Sequence, residues 1–257
     1  MRIRILVILL LFALRSLAQL PSTADSASLV KDFRSWWNYY NAYTLLSADF
    51  IPLNTNHEKI SKAQFLDSLV TGRYIPQRTG ADGDEVSYRL LLLATGEENL
   101  DMRNIRASIQ TVAFEEQRNF SHEGQQLPSY DFTDLKGRHY TNGNTKDKIL
   151  VLKYWFINCL PCVQEMPELN ELVKKYRRRK DILFVSVAMD RPDALQRFLL
   201  DHEFSYAVVP DQKSWLTDTM KAYSYPTHII VDKSGRIVKV VNTASGLKQS
   251  LTKALAQ

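Results

Sequence analysis

Cysteine is the residue of which this sequence has least: among 257 residues it occurs only at Cys159 and Cys162. A zinc site made of four cysteines is therefore excluded, because it needs a second C-x-x-C pair. The five histidines are scattered along the chain, so the paired histidines of a Cys₂His₂ site are also missing. Covalent haem attachment would need histidine at position 163, where the sequence has valine.

Long apolar runs are missing as well. The stretch Ile5–Leu14 is far below the ~20 residues that a transmembrane helix needs. It lies between two N-terminal arginines and small residues that end at Ala18, which predicts a signal peptide over residues 1–18. Arg15 is unusual directly after such a stretch, so an uncleaved membrane anchor stays open. No cysteine follows the stretch, so a lipid-modified N-terminus is not expected.

The charge excess is also small. The formal net charge is +5, and loss of the three arginines in residues 1–18 would leave the remaining chain at +2. This is too mild to indicate a nucleic-acid partner. The signal peptide predicts export, and periplasmic localisation would place the protein where disulfides persist.

The region before residue 121 shows mixed patterns that predict a small α+β domain over residues 19–120, whose role is unknown. We expect its aromatic segment, Leu29–Leu46, to pack in a core, although a partner-binding groove stays open. The predicted strands are Phe50–Leu53 and Tyr88–Leu93, and the predicted helices are Ile60–Leu69 and Asp101–Glu116.

Residues 121–257 begin with a polar, turn-rich segment, Ser121–Pro128, and are predicted to form a second domain of the α/β class. Strands and helices alternate and a hairpin follows, which predicts a mixed sheet with helices on both faces. Predicted strands cover 149–156, 182–189, 206–209, 227–231 and 236–241, and predicted helices cover 159–178, 193–200, 215–223 and 247–255.

The two cysteines are predicted to lie between the end of a buried strand and the start of a helix. Backbone N–H groups at a helix start favour a thiolate, the species that attacks disulfides. Cys159 is then the expected nucleophile, and Cys162, one turn inside the helix, is expected to be buried and to resolve the mixed disulfide. The C-x-x-C spacing favours a redox dithiol, while half of a metal site stays open.

The motifs around the cysteines resemble the thioredoxin superfamily. The run Val151–Trp155 leads into Cys159-Leu160-Pro161-Cys162, and the continuation Val163–Pro167 is similar to exported thiol–disulfide oxidoreductases of the TlpA/ResA type. Tyr225-Pro226-Thr227 stands where that family has its cis-proline loop, directly before a strand and hairpin. The resemblance covers roughly residues 120–257 and implies a thioredoxin-like fold.

The resemblance also implies roles for individual residues. Tyr225, a cis-Pro226 and Trp155 would bind the substrate, and the proline would keep metal from the cysteines. Glu165 matches a glutamate that serves the ResA-like branch as acid/base for the buried cysteine, here Cys162. We expect it to be paired with Lys153, which stands where thioredoxin has an acidic residue. A solvated glutamate at the helix start is the alternative.

The function that the resemblance implies is an exported thiol–disulfide oxidoreductase, most consistent with a reductase of protein or small-molecule disulfides. We expect a membrane electron donor, and no cofactor, resident metal or nucleic acid. The alternatives are a disulfide-forming oxidase, a copper-binding chaperone that uses Cys159, Cys162 and a histidine such as His228, and a binding module whose N-terminal domain is the working part.

Overall fold

The computed structural model describes residues 26–82, 85–94 and 99–256 of the chain. The predicted signal peptide, residues 1–18, lies outside these residues, and its cleavage stays a prediction. Within the described ranges, no helix combines the length and the apolar character that crossing a bilayer would demand.

The N-terminal region builds a three-stranded sheet covered by helices. The central strand β3 runs parallel to β1 and antiparallel to β2. In chain order the elements are α1 (Ser26–Leu29), α2 (Phe33–Tyr43), β1 (Phe50–Leu53), α3 (Lys62–Val70), β2 (Tyr74–Asp82), β3 (Glu85–Leu92) and α4 (Leu100–His122).

Side-chain caps fix where these helices start. The Asp32 carboxylate accepts a hydrogen bond from the backbone N–H of Ser35 and caps α2. Ser61 and Gln64 form a reciprocal capping box at α3, and Asn99 caps α4. Each cap satisfies an N–H that has no partner within the helix, which favours a helix start at that residue.

The aromatic segment of α2 packs largely as expected. Trp36 is completely buried and Tyr39 is nearly so, while Trp37, whose ring lies 5.7 Å from that of Trp36, is 37% exposed. Trp36 lies in a core that unites the sheet with α3 and α4, through residues such as Phe65, Leu69 and Ile109.

Among the described strands of this region, β2 is the one that the sequence patterns did not predict; the helices α1 and α2 were not predicted either. Strand β2 contains Pro76, and its pairing register shifts between Arg78 and Gly80. A strand interrupted by proline and a bulge loses the regular alternation on which prediction relies. Its place at the edge of the sheet explains why the proline is tolerated.

The C-terminal region is built on a five-stranded mixed sheet in the order β10-β9-β6-β7-β8. Strands β6, β7 and β8 are parallel, and β9 is antiparallel to both β6 and β10. In chain order the elements are β4 (Asp131–Thr133), β5 (His139–Thr141), β6 (Ile149–Trp155), α5 (Leu160–Gln164), α6 (Met166–Tyr176), β7 (Ile182–Ala188), α7 (Pro192–Asp201), β8 (Ala207–Val209), a π-helical turn (Trp215–Thr219), β9 (Thr227–Val231), β10 (Ile237–Val241) and α8 (Ala244–Ala254).

The two faces of β6 enter different cores because side chains alternate along a strand. Ile149 and Val151 pack with α6 and α8, whereas Leu150 and Leu152 pack with the β4–β5 hairpin and the π-helical turn. The predicted mixed sheet with elements on both faces is confirmed. The predicted helix 215–223 is shorter than expected, since only the π-helical turn forms.

The N-terminal region joins the sheet along its edge strand β10. The chain after α4 pairs with it, since Gly124 N–H donates to the Ile237 carbonyl and Ile237 N–H donates to that of Gln125, each at 2.8 Å. The predicted boundary between residues 120 and 121 falls within the last turn of α4. The division into domains 19–120 and 121–257 therefore stays a prediction.

Candidate functional site

The two cysteines form a disulfide at the carboxyl end of the central strand β6. Cys159 is the N-cap residue of α5, and Cys162 lies inside the helix, with 5.2 Å between their Cα atoms. Cys159 keeps 5% of its surface exposed, whereas Cys162 has none. The placement agrees with the expected order of an outer and an inner thiol, although their roles stay predictions.

The loop between β6 and Cys159 is held by hydrogen bonds at both ends. The backbone N–H of Ile157 donates to the Asp190 carboxylate at 2.8 Å, and Cys159 N–H donates to the Phe156 carbonyl at 3.1 Å. Sequence patterns did not identify Asp190 as a neighbour of the cysteines, because it reaches them from the end of β7. Its position fixes the approach to the disulfide.

The helix that follows Cys159 is broken at Glu165, between α5 and α6. Pro167 has no N–H with which to bond the carbonyl of residue 163, so the regular helical ladder cannot continue there. Glu165 N–H keeps its regular helical bond to the carbonyl of Pro161 and also bonds that of Val163. The helix is therefore interrupted next to Pro167, with Glu165 at the break.

Glu165 turns inward, towards two ionisable side chains of the sheet. Lys153 on β6 and His228 on β9 are direct partners in the strand register, and both side chains are fully buried. Lys153 Nζ donates to Glu165 Oε1, and His228 Nε2 lies 3.0 Å from the same oxygen. Glu165 is only 11% exposed, so the alternative of a solvated glutamate does not fit this structure.

Burial and charge act against each other in this group. Burial works to raise the pKa of Glu165, but the contacts with His228 and Lys153 outweigh it and the pKa is lowered. Burial lowers the pKa of His228 and of Lys153, and Glu165 offsets only part of either shift. Glu165 is thus ionised and His228 neutral near pH 7. Neither ring nitrogen of His228 has a well-aligned hydrogen bond within the described residues.

The loop before β9 carries the predicted cis-proline. The Tyr225–Pro226 peptide bond is cis, and the half-buried Tyr225 ring meets Phe156 edge-on at 5.5 Å. Tyr225 packs against the buried cluster that contains both cysteines. The structure therefore brings this loop to the disulfide, as the motif order indicated.

Trp155 takes a different place from the other predicted substrate-binding residues. Its side chain is completely buried, with the rings of Phe198 and Phe204 5.8 and 5.7 Å away. In this structure its ring offers no surface to a substrate. It supports the disulfide from the core, in one cluster with Cys159 and Cys162.

His228, like Asp190, has a place in the site that the sequence did not predict. The sequence indicated it only as a histidine that could join a copper site, whereas in the structure it lies beside Glu165. Across the part of the chain that the structure describes, no group of three or more His, Cys, Asp or Glu side chains is arranged to hold a metal ion. Only the pairing of β6 with β9 reveals its partner, because Lys153 and His228 are far apart in sequence.

Comparisons with known proteins match the C-terminal region. Residues 124–240 match the AhpC/TSA family. The chain is 29% identical over 119 residues to thiol-disulfide oxidoreductase ResA of Bacillus thuringiensis subsp. konkukian, covering 46% of this chain and 68% of ResA. It is 27% identical over 135 residues to the thioredoxin-like protein YneN of Bacillus subtilis, covering 52% of this chain and 78% of YneN.

A solved structure gives a weaker likeness. A thiol:disulfide interchange protein from Bacteroides sp. is 24% identical, with a TM-score of 0.46, and the match covers 52% of this chain and 91% of that one. A likeness of this size supports no conclusion about function. The sequence matches, in contrast, confirm the resemblance to ResA-like proteins that the motifs indicated, in fold family and in enzyme class.

Proposed function

We propose that this protein is a thiol–disulfide oxidoreductase that reduces disulfides of exported proteins through the Cys159–Cys162 couple. The observation that carries the proposal is the disulfide at the start of the helix, with an ionised, nearly buried Glu165 at the helix break behind it. A structural staple would gain little from so short a loop, and it would have no use for a buried carboxylate.

The reaction starts from the reduced dithiol. The Cys159 thiolate attacks one sulfur of the substrate disulfide, forms a mixed disulfide and releases the other substrate sulfur as a thiolate, which takes up a proton. Cys162 then loses its proton and attacks the Cys159 sulfur, which releases the second substrate thiol. The substrate gains two electrons and two protons, and the enzyme ends in the disulfide state of this structure.

The second step needs a group that accepts the proton of the buried Cys162. Glu165 is placed for this three residues after Cys162, and its carboxylate is ionised near neutral pH; the lowered pKa keeps it ionised but makes it a weaker base. Lys153 and His228 hold that carboxylate at the helix break. Glu165 is thus the proposed acid/base, and the other two residues position it.

The substrate would lie across the rim of the dithiol. Leu160 follows the nucleophile directly and is 66% exposed, so it offers an apolar contact to a protein chain. Tyr225 and Pro226 form the neighbouring wall, and the backbone of this loop would pair with an extended substrate segment. Trp155 supports this rim from below rather than by contact.

Turnover requires that the disulfide is reduced again. A membrane electron donor fits an exported location, where cytosolic reductants are absent, and the predicted signal peptide would direct the protein to the periplasm. If the signal is not cleaved, the protein would be anchored in the membrane. A disulfide-forming oxidase would use the same residues in the opposite direction, and the reduction potential of the couple decides between the two.

The proposal is tested by trapping the mixed disulfide. The reduced Cys162→Ser protein, mixed with insulin, should accumulate a covalent adduct that dithiothreitol releases, because no second thiol can resolve it. Reduced Cys159→Ser should form no such adduct, since the buried Cys162 does not reach the substrate. Mass spectrometry detects the adduct. Equal trapping by both variants, or by neither, would contradict the assigned roles.

A further inference from the structure

Helix α4 of the N-terminal region touches the loop that carries the cis-proline. Asn119, in the last turn but one of this helix, is only 8% exposed, and its Nδ2 lies 2.7 Å from Asn242 Oδ1. Asn242 comes directly after β10, which is the edge strand next to β9. A residue of the N-terminal region is therefore bonded to the strand beside the candidate site.

Asn242 passes this contact on to the loop. Its Nδ2 lies 3.1 Å from the Pro226 carbonyl, 3.1 Å from Thr227 Oγ1 and 3.3 Å from Ser224 Oγ. Thr227 Oγ1 in turn donates to the Ser224 carbonyl at 2.8 Å. One amide group therefore spans the residues on both sides of the Tyr225–Pro226 bond.

Hydrogen-bond chemistry fixes which groups donate and which accept in this series of hydrogen bonds from Asn119 through Asn242 to the loop. The Pro226 carbonyl can only accept, so Asn242 must turn its NH₂ group towards the loop. Its Oδ1 then faces α4 and needs a donor, which the Asn119 NH₂ group supplies. Asn119 thus orients Asn242, and Asn242 orients the loop.

A second contact between α4 and the loop lies at the surface. The Arg118 guanidinium stands 4.5 Å from the centre of the Tyr223 ring, a cation–π contact. Tyr223 is 63% exposed and lies just before the Tyr225-Pro226 segment. Two consecutive residues of α4 therefore hold the loop, one from the buried side and one from the solvent side.

The attachment of α4 to the sheet is itself firm. Lys239 on β10 is 5% exposed and bonds Glu123 Oε2 at 3.2 Å, one residue after α4 ends. Asp49, from the segment before β1, is the second partner of Lys239 at 2.5 Å. The contacts of Asn119 and Arg118 with the loop are therefore part of a docked interface and not a loose approach.

We propose that the N-terminal region positions the cis-proline loop for protein substrates, through the Asn119–Asn242 hydrogen bond. Asn119 is a positioning residue, because it acts through Asn242 and does not contact the dithiol. This inference rests on the proposed function, in which the loop pairs with an extended substrate segment. It gives the N-terminal region a role in substrate recognition and none in the redox chemistry.

The test compares a protein disulfide with a small one in the full chain. With dithiothreitol as the electron source, Asn119→Ala should raise the KM for insulin about threefold to tenfold, the effect of one lost hydrogen bond. Its kcat, and its activity towards hydroxyethyl disulfide, should stay close to those of the unchanged protein. Asn104→Ala, at an exposed position of the same helix, is the matched control and should change neither.

A double-mutant cycle shows whether Asn119 acts through Asn242. If it does, Asn119→Ala should add little to the KM defect of Asn242→Ala, because Asn242→Ala already removes the hydrogen bonds that link Asn119 to the loop. Additive effects of the two substitutions on the KM for insulin would contradict the proposal that Asn119 acts through Asn242. If Asn119→Ala does not fold, Arg118→Ala at the surface should still produce a smaller KM defect for insulin alone.

The outcomes separate the two proposals. If the wild-type protein reduces neither insulin nor hydroxyethyl disulfide, the proposed function itself is overturned. Activity on both substrates with an unaltered KM in Asn119→Ala and Arg118→Ala overturns this inference only. An equal loss with both substrates also overturns it, since the effect would then lie in the dithiol and not in the loop.

Discussion

The side chains gathered around Glu165, at the break between α5 and α6, are an uncommon set for a protein core. Lys153 and His228 are completely buried and Glu165 is nearly so. Burial of one unpaired charge would cost several kcal/mol, and an ion pair offsets that cost only with good geometry. A hydrophobic trio of similar volume would be at least as stable. The presence of charge at this position is therefore best explained by the chemistry of Cys162.

Replacement of Glu165 tests this explanation. Glu165→Gln keeps the size of the side chain but removes the proton acceptor, so resolution of the mixed disulfide should slow by about 100-fold. Stopped-flow release of reduced insulin measures this step. Glu168→Gln, on the same helix but 44% exposed, is the control and should resolve at the unchanged rate. Equal rates in all three proteins would remove Glu165 from the mechanism.

The effect of Glu165→Gln on the resolution rate is also expected to depend on pH. The pKa of Glu165 lies below its usual value of 4.5, so the carboxylate stays ionised as the pH falls from 7 to 5. The ratio of resolution rates between the unchanged protein and Glu165→Gln should therefore be constant over that range. It should shrink only at lower pH, where Glu165 is protonated. A ratio that already falls between pH 7 and 6 would mean that another group is titrating.

For individual residues, the sequence identifies those site residues that lie close together along the chain. The C-x-x-C spacing identifies both cysteines, and the i,i+3 spacing to Cys162 together with the family motif identifies Glu165. His228 and Asp190 could not be found in this way, because each reaches the site from another strand. Asn119 is further away still, since its importance depends on how α4 lies on β10.

Among the secondary-structure elements, α4 and β10 decide how the two regions of the chain are joined. Burial works to lower the pKa of Lys239, yet the charges of Glu123 and Asp49 outweigh it and the pKa is raised. Lys239 is thus held as a cation between acidic side chains of the N-terminal region. The edge strand β10 is covered at the same time, which protects it from pairing with other chains.

Removal of this cation should loosen the junction. Lys239→Met leaves Glu123, only 12% exposed, without this ion pair and with the Val240 N–H as a remaining donor, and should lower the free energy of unfolding by about 3 kcal/mol. Lys248→Met breaks the Lys248–Glu168 pair, whose side chains are 53% and 44% exposed, and should cost less than about 1 kcal/mol. Urea unfolding followed by tryptophan fluorescence measures both. Equal losses would mean that the Lys239 contacts add nothing to the junction.

Regular elements are the ones that the sequence predicts well. The buried strands β6, β7 and β9 stand out as continuous apolar runs, which is typical of strands covered on both faces. Strand β2 was missed because Pro76 and a bulge disturb its pattern. The helix expected over 215–223 ends after a π-helical turn, since the next residues serve the cis-proline loop instead.

On the scale of the whole molecule, the chain consists of a redox region and an N-terminal region with separate buried cores. The family match, over residues 124–240, lies within the redox region. The N-terminal region contains neither cysteine, and its contacts reach, through Asn242, the loop on which the substrate is proposed to bind. We therefore propose that the redox region transfers electrons and that the N-terminal region positions the loop that binds the substrate.

The central claim is that the Cys159–Cys162 couple works as a reductant. The most direct test is the equilibrium reduction potential of this couple, titrated against a thiol buffer and read by mass spectrometry of the alkylated protein. We predict a value close to that of thioredoxin, about −270 mV. A value near that of DsbA, about −120 mV, would make the protein an oxidant and contradict the account.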